Sequence, residues 1–338
     1  MSKKSKVLII ILASILVFFL TINIIPPAKV MDNNPFIIEK GERPMIAAHR
    51  GGANIFPENT INAFKSAVEE YHVDIIESDI YLTKDGHIVF NHDSYIDETC
   101  NVNGDKSLSE VKEIIKNKDN RHYIKDMTLS ELKEYNFGYY FEKDGLRPYK
   151  DLTKDDVIAN GLQISEVKDL FEAFYATNKN LMFIVEIKNS DELGYNACDE
   201  LVKTLNAYPE YRDNIVIGTF NPEIEEYLEE TYPDLMRGAS TSGAASFIIT
   251  QMLGLNIFNK NSFCCLQIPT AYNIKGIEIN LDKETYINRA HKRNISVQFW
   301  TINEKEEMRR LIEMGADVIM TDNPDIMYEL LVEMGYYN

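Results

Sequence analysis

One stretch, residues 46–93, constrains the fold more than any other. It contains IAAHRGGANIFPENTINAF and then DIIESDIYLTKDGHIVFNHD. It holds three short apolar runs. The first ends in His49-Arg50-Gly51, the second carries Glu77 and Asp79, and the third ends in His92-Asp93. Runs of this length, rich in β-branched residues, predict strands. Between the first two, Ile61, Phe64, Ala67 and Val68 recur at helical spacing, so a helix with one apolar face joins them. Strand, helix, strand opens an α/β layout. Such folds carry their chemistry at the C-terminal ends of the strands.

The pattern continues down the chain. In residues 74–80 side chains alternate, so Ile75, Glu77 and Asp79 share one face and Ile76, Ser78 and Ile80 the other. Lys84-Asp85-Gly86 reads as a turn. Residues 181–187, LMFIVEI, predict a strand that carries Glu186, with Lys188 just beyond and on the same side. Further strands are expected over 215–218, 235–239, 263–268, 295–300 and 317–320, with helices over 163–177, 197–206, 221–230, 247–258, 283–293, 304–314 and 324–333. A short apolar run at 276–279 has no evident place in the sheet. Repeated strand–helix units across residues 45–334 predict an α/β fold, a TIM (β/α)8 barrel. Residues 94–127 break the rhythm and are expected to form an insertion, with a helix over 107–118.

The N-terminus differs from the rest. Lys3, Lys4 and Lys6 precede VLIIILASILVFFLTINII, an apolar run of nineteen residues at 7–25. At about 1.5 Å per residue it just spans a bilayer core of about 30 Å. The residues that follow, Pro26 to Val30, hold no small-x-small cleavage site. An uncleaved transmembrane helix is therefore expected, with secretion after signal cleavage as the alternative. The lysines assign residues 1–6 to the cytoplasm and the barrel to the outside of a single-pass cell-membrane protein. Residues 26–44, with four prolines, are expected to be a tether.

The balance of 53 acidic against 35 basic residues, a net charge of −18, argues against nucleic acid as a partner. It leaves a phosphate substrate open, since a pocket needs only one or two cations. The four cysteines form no C-x-x-C pattern, so free or buried thiols are expected rather than a zinc site. On a strand, Cys264 and Cys265 would face opposite ways.

Glu77, Asp79 and Glu186 form a candidate metal triad. Three carboxylates pointing together repel unless a cation or proton intervenes. Hard oxygen ligands suit Mg²⁺ or Ca²⁺. His49 and His92, two of six histidines, lie at strand ends flanking these acids and suit paired acid and base work. Arg50 can grip a phosphate bidentately, and Lys188 adds positive charge as a phosphoryl centre becomes more negative. His72, His87, His122 and His291 lack a comparable setting. A metal, two histidines and two cations together describe phosphodiester cleavage.

The order of these motifs resembles the glycerophosphodiester phosphodiesterase family. The matching segments are His49-Arg50-Gly51, Pro57-Glu58-Asn59-Thr60, Glu77-Ser78-Asp79, Thr83-Lys84-Asp85-Gly86, His92-Asp93, Glu186-Ile187-Lys188, Trp300-Thr301 and Thr321-Asp322-Asn323-Pro324. The resemblance covers residues 45–334. It implies a metal-dependent TIM barrel that hydrolyses a small-molecule or lipid-derived glycerophosphodiester to glycerol 3-phosphate and an alcohol. It further implies that Glu77, Asp79 and Glu186 bind the metal, that His49 and His92 are the acid–base pair with His92 protonating the leaving group, that Arg50 and Lys188 contact phosphate, and that Trp300 forms a pocket wall. In such enzymes a glycerol hydroxyl can attack first, giving a cyclic phosphate. One departure is His72-Val73-Asp74, where family members usually end the helix in Gly. A related enzyme acting on lysolipid, sphingolipid or polyglycerol phosphate is the main alternative. A binding-only barrel is the other, and no loss of a ligand or histidine points to it.

Overall fold

The computed structural model describes residues 2–39 and 41–337. The first run becomes β1 (Met45–Ala48), and β2 (Ile75–Leu82) pairs beside it in parallel. The third run, β3 (Ile88–Phe90), pairs antiparallel with the upper end of β2 and is not a barrel strand. Then come β4 (Met182–Ile187), β5 (Ile215–Gly218), β6 (Cys265–Ile268), the hairpin β7 (Ala271–Ile274) and β8 (Ile277–Asn280), β9 (Ser296–Phe299) and β10 (Val318–Thr321). The parallel order is β5-β4-β2-β1-β10-β9-β6. Bridges from Ile217 to Arg237 and from Gly238 to Cys265 join its two edges. The Arg237–Gly238 segment thus supplies the remaining stave of a near-closed (β/α)8-type barrel, and it falls within the strand expected at 235–239.

Eight helices wrap the staves, one after each: Ile61–Tyr71, Val167–Tyr175, Asp191–Leu205, Pro222–Thr231, Thr241–Met252, Glu284–His291, Lys305–Glu313 and Pro324–Glu333. Local chemistry starts several of them. The Thr60 hydroxyl accepts from the Ala63 N–H, a side-chain cap. Pro222 and Pro324 occupy first turns, where a missing N–H costs nothing. The helix Ile61–Tyr71 ends with His72 in the left-handed region at φ 50°. His72 takes the helix-ending turn that a Gly would ease, and its ring lies against Tyr328.

The alternation read from β2 holds. Ile75 joins the barrel interior with Ala47, Met182, Ile184, Val216 and Met320, while Ile76 and Ile80 pack outward beneath the helices. Cys264 precedes β6 instead of lying on it. Its sulfur sits 3.6 Å from that of Cys265 in the same interior cluster, so the two do not face opposite ways. All four cysteines are free and buried. The run at 276–279 belongs to the β7–β8 hairpin, which stands outside the barrel.

Residues 30–38 close the barrel floor. The Val30 N–H donates to the Arg293 carbonyl at 2.8 Å. Asn34 Nδ2 donates to Cys264 O at 2.8 Å and to Asn294 O at 3.0 Å. The Ile38 N–H donates to Asp317 at 3.1 Å. Phe36 is fully buried in the interior cluster. Phe36→Ala is expected to cost about 3–5 kcal/mol, because the floor cannot collapse into the space left. Thermal or urea unfolding of the solubilised chain measures it.

Candidate active site

The site lies where the strands end. In the β2–β4 register Asp79 pairs with Glu186 and Glu77 with Ile184. Inward alternation then brings Glu77, Asp79 and Glu186 together, with one oxygen from each within 4.8 Å of the others. Glu77 and Asp79 are 2% and 1% exposed. Burial so complete disfavours charge, and Asp79 beside it adds repulsion; together they push the Glu77 carboxyl up to about 8. Burial and the charge of Asp79 likewise raise Glu186. Hard oxygens held this close, with one acid resisting ionisation, fit a divalent cation. Glu77, Asp79 and Glu186 are the residues that could hold it.

Two cations already face the acids. Lys188 Nζ lies 2.9 Å from Glu186 and 3.5 Å from Asp79. Burial opposes its charge, but Asp79 and Glu186 outweigh that and raise it. Arg50 Nη1 donates to Glu58 at 3.0 Å, and Nε sits 3.4 Å from Asp79, buried and without a hydrogen-bond partner among the described residues. Arg50 itself lies in the left-handed region at φ 52°, a strained conformation of the kind that gathers at functional sites. Its N–H donates to Glu77 at 2.7 Å. The next residue must be Gly. A Cβ on Gly51 would come within 2.7 Å of the Ala63 Cβ, at a positive φ of 84°.

Two positioning side chains have no role that the sequence alone assigns. Asp322, at the end of β10, accepts from His49 Nδ1 at 2.6 Å and from Asn303 Nδ2 at 2.7 Å. Asn59 exchanges hydrogen bonds with Asp79, donating to Oδ2 at 3.1 Å and accepting from its N–H at 3.2 Å. Both fall inside family motifs, so the sequence carries the signal and only the geometry gives it meaning. Burial opposes protonation of His49, yet nearby Glu77 and the Asp322 bond outweigh it and raise its pKa. His92 Nδ1 lies 3.2 Å from Asp93 Oδ1, which this contact holds low.

His49, Arg50, Glu77, Asp79, His92, Glu186, Lys188 and Trp300 all line one pocket. Every sequence-predicted site residue is therefore present in it. Phe220 meets Trp300 edge to face at 5.6 Å, and Lys188 lies 5.7 Å from the Phe220 ring centre. Three of the four other histidines pair with structural acids: His87 with Glu166, His122 with Asp97 and His291 with Asp317.

The family model described as the glycerophosphoryl diester phosphodiesterase family matches residues 49–326. The chain belongs to that family. It is an enzyme, a phosphodiester hydrolase of the glycerophosphodiester class, on the barrel of the phospholipase C-like superfamily. A glycerophosphodiester phosphodiesterase of Caldanaerobacter subterraneus is 27% identical over 293 residues, covering 87% of this chain and all of its own. Among solved structures, the glycerophosphoryl diester phosphodiesterase domain of a Mycobacterium tuberculosis protein superposes with a TM-score of 0.66 at 15% identity, covering 85% of this chain and 99% of its own. An Oleispira antarctica phosphodiesterase, solved with the product sn-glycerol-3-phosphate, gives 0.60 at 18% identity over 86% and 97%. At these identities the two structures speak for the fold.

Proposed function

We propose that this phosphodiesterase cleaves glycerophosphodiesters to glycerol 3-phosphate and an alcohol through paired histidines beside a divalent cation. One observation carries the reading: two histidines, three carboxylates and two cations line a single pocket. The bound product of the Oleispira relative is the product this chemistry would release. Glu77, Asp79 and Glu186 hold the cation, Mg²⁺ or Ca²⁺. When bound, it draws charge from the phosphoryl oxygens and offsets repulsion among the three acids. Arg50 and Lys188 orient the phosphate.

His49 donates its Nδ1–H to Asp322, which leaves Nε2 to take the proton from the attacking glycerol hydroxyl or water. The P–O bond to the alcohol breaks as His92 delivers a proton to that oxygen. In a cyclic-phosphate route, water then opens the ring with the proton traffic reversed. Trp300 and Phe220 together form a wall of the pocket.

Asp322→Asn is expected to lower kcat about 10²-fold by loosening His49. It also removes one cause of the raised His49 pKa. His49 must be neutral to act as base, so the acidic limb of the kcat/KM profile moves to lower pH. A pH–rate series on the variant checks both effects.

Residues 45–334 act as the catalytic barrel, with 94–127 an insertion beginning beside His92 at the pocket mouth. The helix Lys3–Ile24, long and apolar enough to cross a membrane and almost wholly exposed, anchors the chain with the barrel on the extracytoplasmic side. Glycerophosphocholine, lysophosphatidylcholine and polyglycerol phosphate, each offered with Mg²⁺, with Ca²⁺ and with chelator, test the substrate assignment. Release of glycerol 3-phosphate from the first supports it. Turnover of the lipid or polymer alone moves the substrate to the envelope and leaves the mechanism in place.

A further inference from the structure

The anchor joins the barrel at the end opposite the active site. Val30, Asn34 and Ile38 bond to residues just before β6, β9 and β10, at the strands' N-terminal ends. The catalytic groups stand at the C-terminal ends. Only residues 25–29 separate the helix from this floor, and two of them are Pro26 and Pro27. Fully extended, they span at most about 18 Å. The longest barrel helix, of 15 residues, alone measures about 22 Å. A linker that short does not carry the pocket mouth round to the membrane.

The floor near the anchor carries an exposed apolar face. The Asn23 amide donates to Gly254 O at 3.2 Å, and Ile22 is buried against the domain. Next to that contact, Ile249, Met252 and Leu253 stand 50% or more exposed (55%, 58% and 57%), joined by Phe258 at 56%. The first three recur at the spacing of one helix face, and the protein gives that face no partner among the described residues. Three exposed lysines, Lys29, Lys260 and Lys292, lie on the same floor, Lys260 two residues from Phe258. They are adjacent in space because Arg293 accepts from the Val30 N–H and donates to Asn261 O at 3.2 Å. In a chain of net charge −18, three lysines gathered beside an apolar face suit anionic headgroups. Glu39, Asp213 and Asp234, all exposed, line another stretch of the floor, while Asp32, whose carbonyl accepts from Asn294 Nδ2 at 3.0 Å, stands near Lys292.

We propose that Ile249, Met252, Leu253 and Phe258 rest in the headgroup layer of the membrane that the Lys3–Ile24 helix crosses, and hold the pocket mouth facing away from it. The inference rests on the anchor reading above and adds an orientation to it. It also narrows the substrate. Glycerophosphodiesters must arrive from the aqueous side, dissolved or on a chain that projects from the envelope. A lipid lying in the enzyme's own leaflet does not reach the acids.

The chain carries its own probe, since Trp300 is the single tryptophan and lines the pocket. The full chain is reconstituted into vesicles of phosphatidylcholine and phosphatidylglycerol, with or without bromine on the acyl chains. Trp300 emission is expected to be equal in the two, and quenching in brominated vesicles would overturn the orientation. A second protein, Leu253→Trp with Trp300→Phe, is expected to lose much of its emission to bromine. Unchanged emission there would overturn the docking face. Flotation separates the anchor from the docking face. A chain that fails to float with vesicles refutes the anchor, and the docking proposal with it. A chain that floats but shows the opposite quenching refutes only the proposal.

Discussion

Replacing His92 with alanine is expected to lower kcat about 10³-fold on a glycerophosphodiester with an alkyl alcohol. The alcohol is a poor leaving group, so its departure needs the proton that His92 supplies. His92 is half-buried, and Asp93 Oδ1, 3.2 Å from its Nδ1, orients the ring in the pocket. The same variant on a p-nitrophenyl diester is expected to recover most of the loss, because that group departs without a proton. His49→Ala is expected to lose a similar factor on both substrates, since its task lies on the attacking side. Steady-state rates of the two variants on the two substrates give the answer. Equal losses across all four combinations would dissolve the division of roles.

Removing divalent ions is expected to abolish turnover, and returning Mg²⁺ or Ca²⁺ to restore it. Full activity in excess chelator would sink the metal assignment. The acids make this dependence steep in pH. Without a cation, burial and Asp79 push the Glu77 carboxyl up to about 8. Cation binding must expel that proton, so affinity falls as pH drops below about 8, by up to about tenfold per pH unit. Stability follows with the opposite slope. The folded state holds a proton on Glu77 that the unfolded chain releases near its ordinary carboxylate pKa. The metal-free protein therefore loses stability as pH rises through that window. A bound cation offsets the loss, so its effect on the melting temperature is expected to be larger at pH 8 than at pH 5. Calorimetric titration and melting curves at several pH values read both effects.

Much of this site is legible in the sequence. The inward alternation of Ile75, Glu77 and Asp79 is a property of the strand itself, and it places two carboxylates on one face. Glu186 needs a second strand in the right register, and the Asp79–Glu186 pairing supplies it. What stays hidden is non-local. Nothing in Thr321-Asp322-Asn323-Pro324 says that Asp322 reaches back across 273 residues to His49. The Arg237–Gly238 stave is too short to show a period, so its neighbourhood reads only as an uncertain strand. The β7–β8 hairpin and the seating of residues 30–38 depend on partners far away in sequence. Four prolines in 26–44 point to an extended tether, yet Phe36 finds a buried place in the barrel floor. β3 shows the opposite case. Its apolar run predicts a strand correctly, but composition does not tell a barrel stave from a hairpin arm.

The most direct test of the central claim follows the oxygen. Glycerophosphocholine is incubated with the full-length enzyme and divalent cation in water enriched in ¹⁸O, and both products are examined by mass spectrometry. Attack at phosphorus under paired histidines predicts glycerol 3-phosphate carrying the label and choline without it, with no conversion in chelator. Phosphocholine and glycerol as products, label in the choline, or turnover that ignores the chelator would contradict the account.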